Sequence, residues 1–409
     1  MLSRGPFLAG AMLLATAQPP AGRAIEWSIR VEATTPPAGA ASSLPQLTAS
    51  ARGALLSWIE RTGPVSTLKF AEWSSGRWSE ARTVASGEDW FVNWADVPSV
   101  LRLSDGTLVA HWLQKNGSSA YAYDLRLSHS SDEGRTWAAP VTPHHDGTAT
   151  EHGFASLIEL PGPTAAIVWL DGRAMKGHGL PPGKGGPTGA MSLRFARFDR
   201  NWKQIEETPL DLRVCDCCPT AVATGADGPV IAFRDRSDRE VRDIHVSRYV
   251  NGKWSESKPV HDDRWVINAC PVNGPALSAR GRTIAAAWFT ASADRGQAFV
   301  AFSTDGGQRF AAPVRLDDEG TLGRVDVELL PDGAAAAAWI ELSGPRARFK
   351  VRKIEPAGTR SPAITISELA ASRTSGYPRL AVTGRDLVFA WTEIKDGHSH
   401  VRTAVARGE

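Results

Sequence analysis

The chain has 409 residues, 42% hydrophobic and 22% charged, so it carries ample apolar surface for a large globular core. Its 46 Lys and Arg residues nearly balance 44 Asp and Glu residues, and a net charge of +2 argues against a nucleic-acid partner. The 38 Gly, 27 Pro and 15 Trp residues beside only 4 Met indicate many turns and little helix.

Residues 1–24 have the layout of a secretory signal peptide. Arg4 precedes an apolar run from Phe7 to Ala15, small residues follow, and cleavage is expected after Ala17 or Ala24. The run is too short to span a bilayer as a helix, and no other segment looks transmembrane. We therefore expect an exported protein, periplasmic or secreted, in which residues 25–409 form one domain that acts as a monomer.

Seven units follow, each with an apolar strand, a turn and a second apolar strand that ends in an aromatic residue. These aromatics recur about every 50 to 60 residues, a repeat length typical of propeller blades. They are Trp58, Trp112, Trp169, Phe233, Trp288, Trp339 and Trp391. A third alternating strand and a turn leading to a fourth strand complete the unit. The pattern predicts an all-β, seven-bladed β-propeller of four-stranded antiparallel blades, with six blades and one irregular unit as the alternative.

The N-terminal stretch 25–32 alternates like a strand but belongs to none of the seven units. The seventh unit, in turn, runs out after its third strand. We expect the N-terminal strand to complete the last blade and close the ring, because closure leaves no blade edge unpaired.

Two of the turns between third and fourth strands share the pattern Ser-x-Asp-x-Gly-x-x-aromatic. Asp accepts hydrogen bonds from nearby backbone N–H groups, Gly adopts a conformation closed to other residues, and the aromatic ring anchors the hairpin. The shared positions are Ser130, Asp132, Gly134 and Trp137, then Ser303, Asp305, Gly307 and Phe310. The pattern resembles the Asp-box of sialidases and related β-propellers. The chain is most similar to exported bacterial Asp-box (BNR-repeat) proteins labelled exo-α-sialidase, and in that family the box is structural and lies away from the active site.

One face of a propeller is built by the loops that lead into the first strands and the loops that follow the second strands. Ligands usually bind on that face, at the axis. Polar and reactive residues of this chain are concentrated in those loops, and we therefore expect a glycan or another small molecule to bind there.

The sialidase resemblance implies roles for several of these residues. Sialidases use a Tyr nucleophile paired with a Glu, and an Asp as acid/base. The matching positions are Tyr377 as nucleophile, Glu151 as its base and Asp96 as acid/base. The first unit opens with Leu44-Pro45-Gln46 and lacks the family's Arg-Ile-Pro signature. Exo-α-sialidase-type hydrolysis and glycan binding without hydrolysis therefore both remain as functions.

The same resemblance implies a substrate-binding set, because sialidases hold the sugar carboxylate with three Arg residues from different blades. Guanidinium groups suit this task because they bind carboxylates bidentately. The candidates for the clamp are Arg234 or Arg236, Arg324 and Arg379. The other candidates for substrate contact are Asp326, Asn273 and Trp94.

All four cysteines fall in the loops that lead into two consecutive units: Cys215, Cys217, Cys218 and Cys270. In an exported protein an even number of cysteines usually indicates disulfides, for example Cys270 with Cys217 or Cys218. A propeller stabilised in this way would serve as a non-enzymatic interaction platform.

Two other interpretations of the cysteines stay open. Cys-x-Cys-Cys plus one distant Cys can form a thiolate site for Cu or Zn. Three histidines of a neighbouring unit are candidate extra ligands: His144, His145 and His152. The third interpretation is a redox-active pair at Cys217 and Cys218, its thiol pKa lowered by Arg213 and Arg234.

Overall fold

The computed structural model describes residues 25–162, 164–175 and 189–408. Over these ranges the chain folds into seven antiparallel sheets, which are the blades of a propeller. The signal-peptide prediction concerns residues outside the described ranges. Among the described residues, no helix is long and apolar enough to cross a bilayer.

The strands follow the chain from blade to blade, beginning with β1 (Ile29–Thr34). Blade 1 contains β2 (Ser42–Ser50), β3 (Gly53–Thr62), β4 (Val65–Ser74), β5 (Arg77–Trp78) and β6 (Arg82–Gly87). Blade 2 contains β7 (Ser99–Arg102), β8 (Leu108–Lys115) and β9 (Tyr123–Ser130). Blade 3 contains β10 (His152–Leu160), β11 (Thr164–Asp171), β12 (Met191–Phe198) and β13 (Gln204–Val214).

Blade 4 contains β14 (Ala221–Gly225), β15 (Gly228–Arg234), β16 (Ile244–Val250), β17 (Lys253–Trp254) and β18 (Lys258–Pro259). Blade 5 contains β19 (Ala276–Arg280), β20 (Thr283–Thr290), β21 (Gln297–Ser303) and β22 (Val314–Arg315). Blade 6 contains β23 (Thr321–Leu329), β24 (Ala335–Ser343), β25 (Arg346–Ile354) and β26 (Ile364–Ala370). A 3-10 turn, Arg373–Ser375, precedes blade 7, which contains β27 (Arg379–Thr383), β28 (Asp386–Lys395) and β29 (His398–Gly408).

The second strand of each blade is apolar on both faces because it packs between neighbouring blades. In β24 the first seven residues are all buried, and four of them are Ala. Small side chains let the sheets approach closely, while large rings fill the wider gaps. The rings that close four of the second strands are at most 1% exposed: Trp58, Trp169, Trp288 and Trp339. The repeat seen in the sequence is therefore the repeat of the inter-blade core.

The N-terminal strand closes the ring as predicted. β1 pairs antiparallel with β29, from Ile29 opposite Gly408 to Thr34 opposite Thr403. The sheet order β1-β29-β28-β27 makes β1 the outer strand of blade 7. The seven-bladed prediction is confirmed, and the six-bladed alternative is not.

Blade 2 departs from the four-strand pattern. Its sheet holds β7, β8 and β9, and the fourth strand is reduced to one bridge between Leu127 and Val141. Pro140 and Pro143 lie on either side of this bridge. Since proline has no N–H to donate to a ladder, the segment cannot extend into a full strand.

The two Asp-boxes have the hydrogen bonds that the sequence pattern predicts. In the first, the N–H of Gly134, at φ 75°, donates to Ser130 Oγ over 2.9 Å. Asp132 Oδ1 accepts from the Ser130 hydroxyl at 2.8 Å, and the pKa of Asp132 is lowered by hydrogen bonds from Thr136 first of all. The second box repeats the Gly–Ser and Ser–Asp bonds with Ser303, Asp305 and Gly307.

The aromatic residue of each box anchors its hairpin to the preceding blade. The Trp137 ring meets Phe70 of blade 1 edge-on, with centroids 6.2 Å apart. Phe310 packs against the core cluster between blades 4 and 5. The boxes therefore stabilise the fold between neighbouring blades, as expected.

The first strands of all seven blades line a channel of about 630 Å³ along the propeller axis. Its charged lining residues include Asp326, Glu328 and Arg379. Tyr377 and Phe154 line the end from which the first strands start, and Arg52 lines the opposite end.

Candidate functional site

The loops that lead into the first strands converge at one end of the channel, as predicted. Asp96 Oδ1 accepts the Phe154 N–H at 2.7 Å, which joins blades 2 and 3. The Tyr377 hydroxyl donates to the Val272 carbonyl at 2.7 Å, which joins blades 7 and 5. We call this surface, built by residues 90–98, 144–154, 215–220, 264–275, 320–326 and 372–379, the axial cap.

Two of the three proposed catalytic residues meet in the axial cap, around a different tyrosine. The Tyr123 hydroxyl lies 2.9 Å from Glu151 Oε1 and 3.1 Å from Asp96 Oδ2. All three side chains are buried. Tyr377 instead bonds a backbone carbonyl of blade 5 and is itself buried, so the structure does not bring it to Glu151.

Burial controls the ionisation of this carboxyl–phenol group. Desolvation, and then the charges of Glu151 and Asp96, raise the pKa of Tyr123 well above its usual value. Desolvation, with a smaller contribution from Glu151, raises the pKa of Asp96 to about 7. A nucleophilic tyrosine needs a carboxylate that removes its proton and a path to substrate, and the fully buried Tyr123 has no such path.

The raised pKa of Asp96 predicts how stability changes with pH. The native state favours the protonated form of the Asp96 carboxyl. Its contribution to the free energy of unfolding is therefore complete below the pKa that Asp96 has in the unfolded chain, and it is lost as pH rises through about 7. Asp96→Asn should therefore reduce the decline in unfolding free energy between pH 4 and pH 8 by about 2–4 kcal/mol. Urea titrations at several pH values measure this slope. Asp89→Asn, an exposed change in the same loop, is the control, and an unchanged slope in Asp96→Asn would contradict the assignment.

The proposed carboxylate clamp does not assemble around one point. Arg234 is buried, and four of its five N–H groups donate to backbone carbonyls at 2.6–3.0 Å. Arg236 forms a two-pronged ion pair with Glu240. Arg324 donates to two carbonyls of the loop before blade 7, at 2.9 and 3.0 Å. These three arginines stabilise loops of the cap rather than facing a common ligand.

The remaining substrate-binding candidates also have partners within the cap. The Arg324 guanidinium lies 4.6 Å from the centre of the Trp94 ring, and Tyr377 stacks beside that ring at 6.0 Å. Asn273 Oδ1 accepts the Arg324 N–H at 2.8 Å, and the Asn273 carbonyl accepts two bonds from Arg234. Asn273 therefore couples three blades instead of presenting its amide to solvent.

Asp326 and Arg379 are the two candidates that line the axial channel. The Asp326 carboxylate accepts the N–H groups of Val327 and Leu380. Burial raises the pKa of Asp326, although the charge of Arg379 acts in the opposite direction. Arg379 Nε is buried and has no hydrogen-bond partner among the described residues. Of the four arginines, Arg379 is therefore best placed to meet an anion.

The predicted histidine ligands lie in a separate ionic cluster, apart from the cysteines. His152 Nε2 bonds Asp146 Oδ2 at 3.1 Å, while Arg173 forms a fork with Asp171 at 2.7 and 2.8 Å. The His144 and His152 rings are parallel, with centroids 3.7 Å apart. Ligand atoms of Asp124, His144 and His152 lie within 4.8 Å of one another, as do those of Asp146, His152 and Asp171. The cluster is a largely buried network of ion pairs and hydrogen bonds.

The cysteines do come together, and all four are free thiols in this structure. Cys215 Sγ lies 3.6 Å from Cys218 Sγ and 4.0 Å from Cys217 Sγ, and all three sulfurs lie within 4.8 Å of one another. Cys270 Sγ belongs to an adjacent group with Cys217 and Asp216. We call the first three residues the inner thiols.

Polar groups of the protein stabilise negative charge on the inner thiols. The Arg242 guanidinium donates to Cys215 Sγ at 3.3 Å, and the Asn273 N–H donates to Cys218 Sγ at 3.4 Å. Hydrogen bonds with Cys217 and Cys218, followed by the charges of Arg234 and Arg242, lower the pKa of Cys215. Burial, together with Cys215, raises the pKa of Cys218. Without a cation, therefore, the cluster favours one thiolate, held on Cys215.

Sequence reasoning missed Tyr123 and the contact of Arg242 with sulfur. Tyr123 is the first residue of a third strand, just beyond the loops that lead into first strands and follow second strands. Arg242 lies in a run of alternating charge that is typical of surface ion pairs. Its distance to Cys215 depends on how residues 215–218 pack against residues 240–243, which no local pattern reports.

Comparisons with known proteins agree with this architecture. A family model for the BNR repeat-like domain matches residues 65–387. The structure is similar to the polysaccharide lyase Uly1, with 9% identity, 88% of this chain and 89% of that chain covered, and a TM-score of 0.51. The NanB sialidase from Streptococcus pneumoniae is 9% identical, with 92% of this chain and 94% of that chain covered and a TM-score of 0.47. Aleuria aurantia lectin is 10% identical, with 80% of this chain and 95% of that chain covered and a TM-score of 0.43.

No curated protein matches the sequence. At such low identity the structural likenesses show a shared propeller fold and nothing of activity. The family match extends over most of the chain, including both Asp-boxes and the axial cap up to blade 7. This protein therefore belongs to the BNR repeat-like family of sialidase-like β-propellers.

Proposed function

We propose that this propeller binds a soft metal ion, Cu(I) or Zn(II), through Cys215, Cys217 and Cys218. The observation that carries the proposal is the spacing of the three sulfurs, two of whose separations are 3.6 and 4.0 Å. A metal–sulfur bond is about 2.3 Å long, so sulfurs around one ion lie roughly 3.8–4.0 Å apart. The inner thiols are therefore already close to the geometry of a thiolate metal site.

The surroundings of the sulfurs support the same function. Three thiolates and one Cu(I) ion carry two negative charges, and the charge of Arg242 beside Cys215 offsets part of them. The N–H groups that point at Cys215 and Cys218 would orient the ligands and tune the site. A bound cation would also favour ionisation of all three thiols.

Metal content and thiol state, measured on the same sample, test this proposal. We expect close to one equivalent of copper or zinc in the wild-type protein and almost none in Cys218→Ser. Circular dichroism should show that the Cys218→Ser variant is still folded. The proposal is overturned if the wild-type protein contains neither metal nor free thiols, and still has neither after incubation with Cu(I) or Zn(II) under reducing conditions. That result would favour structural disulfides.

A second candidate function is the binding of a small acidic ligand, such as an acidic sugar, in the axial channel. Arg379 favours it, because its buried Nε faces no partner among the described residues and the channel has the size of a small-molecule site. The BNR repeat-like family to which the chain belongs fits a glycan ligand. Hydrolysis would further require Tyr377, Glu151 and Asp96 to act together, and binding alone does not.

Titration calorimetry with free N-acetylneuraminic acid tests this second function. Arg379→Gln should weaken binding by about 10-fold or more, because a hydrogen bond to a charged group is lost. Arg236→Gln, which removes a charge from an internal ion pair, is the control. Turnover of a fluorogenic sialoside, lost in Tyr377→Phe, would establish the hydrolytic form, whereas equal binding by wild type and Arg379→Gln would exclude the channel site.

A further inference from the structure

Two groups of candidate ligand atoms overlap in the axial cap. The inner group consists of Cys215, Cys217 and Cys218, and the outer group consists of Asp216, Cys217 and Cys270. In each group the ligand atoms lie within 4.8 Å of one another. Cys217 is common to both, so an ion held by either group already has one ligand of the other.

The two groups differ in their access to solvent. Cys215 is 1% exposed and Cys218 is 2% exposed, whereas Cys217 is half-buried and Cys270 is exposed. The four thiols therefore form a series from the surface to the interior, in the order Cys270, Cys217 and then the buried pair. Neighbouring sulfurs along this series are close enough for one ion to bind two of them at once.

We propose that Cys270 is an exchange ligand, through which Cu(I) passes between a soluble thiol-bound carrier and the inner thiols. This inference rests on the proposed metal-binding function and adds the route and the partner class to it. The outer group lies where a carrier can reach it, and Cys217 keeps the ion bound while the remaining ligands change. The final site is the buried one, because three thiolates hold Cu(I) better than two thiolates and a carboxylate.

Each step exchanges or adds one ligand, and copper stays Cu(I) throughout. The Cys270 thiol loses its proton to solvent as its sulfur bonds the ion, and one carrier sulfur leaves and takes up a proton. Cys217 then displaces the second carrier sulfur in the same way. The Cys215 thiolate then displaces the Cys270 sulfur, which is protonated again, and the Cys218 thiol bonds the ion last and releases its proton.

An exchange ligand changes the rates of Cu(I) uptake and release but not the equilibrium affinity for Cu(I). We expect Cys270→Ser to bind one equivalent of Cu(I), with a Kd within 3-fold of wild type by competition with a chromogenic Cu(I) chelator. In anaerobic stopped-flow experiments, uptake from Cu(I)–glutathione and release to the chelator should both be at least about 10-fold slower. Ala269→Ser, an adjacent exposed change in the same loop, should exchange at the wild-type rate.

The outcomes separate this inference from the function on which it rests. If wild type binds neither Cu(I) nor Zn(II), both are overturned, and if it binds Zn(II) but no Cu(I), only the exchange role is overturned. If wild type binds Cu(I) and Cys270→Ser exchanges it at an unchanged rate, only the exchange role is overturned. If Cys270→Ser binds Cu(I) at least 10-fold more weakly, because release is faster while uptake is unchanged, Cys270 is a resident ligand. That result also overturns the exchange role.

Discussion

Replacing Arg242 by Gln is expected to weaken metal binding by about 10- to 100-fold, the usual effect of removing a group that supports a metal ligand. The guanidinium donates to Cys215 Sγ at 3.3 Å from a position that is 3% exposed. Its charge would stabilise the anionic metal–thiolate complex more than the thiols alone, so its loss should weaken binding without abolishing it. Competition with a Cu(I) or Zn(II) chelator measures the change in Kd.

Arg213→Gln is the matched control for the loss of one positive charge. Arg213 pairs with Asp238 and Glu240, and Glu240 also pairs with Arg242. Glu240 keeps its ion pair with Arg236 in either variant. Each variant also removes the ion-pair partner of one further carboxylate, Asp216 for Arg242 and Asp238 for Arg213, so the two changes are matched in this respect. If both variants weaken binding equally, the effect is one of net charge on the axial cap and not of the bond to Cys215.

Arg234→Met should lower the free energy of unfolding by about 3–5 kcal/mol, because it removes a buried charge from partners that remain buried. The side chain donates to the carbonyls of Asn273, Arg242 and Phe289, and would leave them unsatisfied. It also lies 5.0 Å from the centre of the Trp265 ring. Methionine fills a similar length but supplies no donor, so the loss measures the hydrogen bonds and the charge together.

Chemical denaturation of Arg234→Met and Arg236→Met separates a core role from a surface one. Arg236 lies two residues further on, and its ion pair with Glu240 is partly exposed, so we expect a loss of about 1 kcal/mol or less. Arg234→Lys should fall between the two, since it keeps the charge but loses the planar fork. A loss below 1 kcal/mol in Arg234→Met would contradict the role of Arg234 in holding neighbouring loops together and would make it a ligand-binding candidate again.

The tertiary contacts do not assemble the carboxylate clamp that the sialidase resemblance implies. Arg234 and Arg324 bind carbonyls of neighbouring loops, and Arg236 binds Glu240. The positive groups of the axial cap thus hold the loops together around the inner thiols. Of the four clamp candidates, only Arg379 lines the axial channel, where an anionic ligand could meet it.

The sequence alone determined the fold to a considerable depth, because the features involved are local or repeat along the chain. The seven aromatic-ended strands, the unpaired strand at 25–32 and the two Asp-boxes each reflect backbone pairing and turn chemistry within a few tens of residues. Those predictions are confirmed by the seven sheets and by the pairing of β1 with β29. The loops that converge on the axial cap were also identifiable, since their position in each repeat fixes the face on which they lie.

Only the tertiary structure decided which side chains meet there. Glu151 pairs with Tyr123 rather than with Tyr377. Cys217 lies in both ligand groups, although Cys270 is more than fifty residues away along the chain. These contacts depend on angstrom-scale packing between loops of different blades. Backbone carbonyls and ion-pair partners compete for the same donor groups. A repeat places each loop on the correct face, but it does not encode the rotation and depth of one loop against the next.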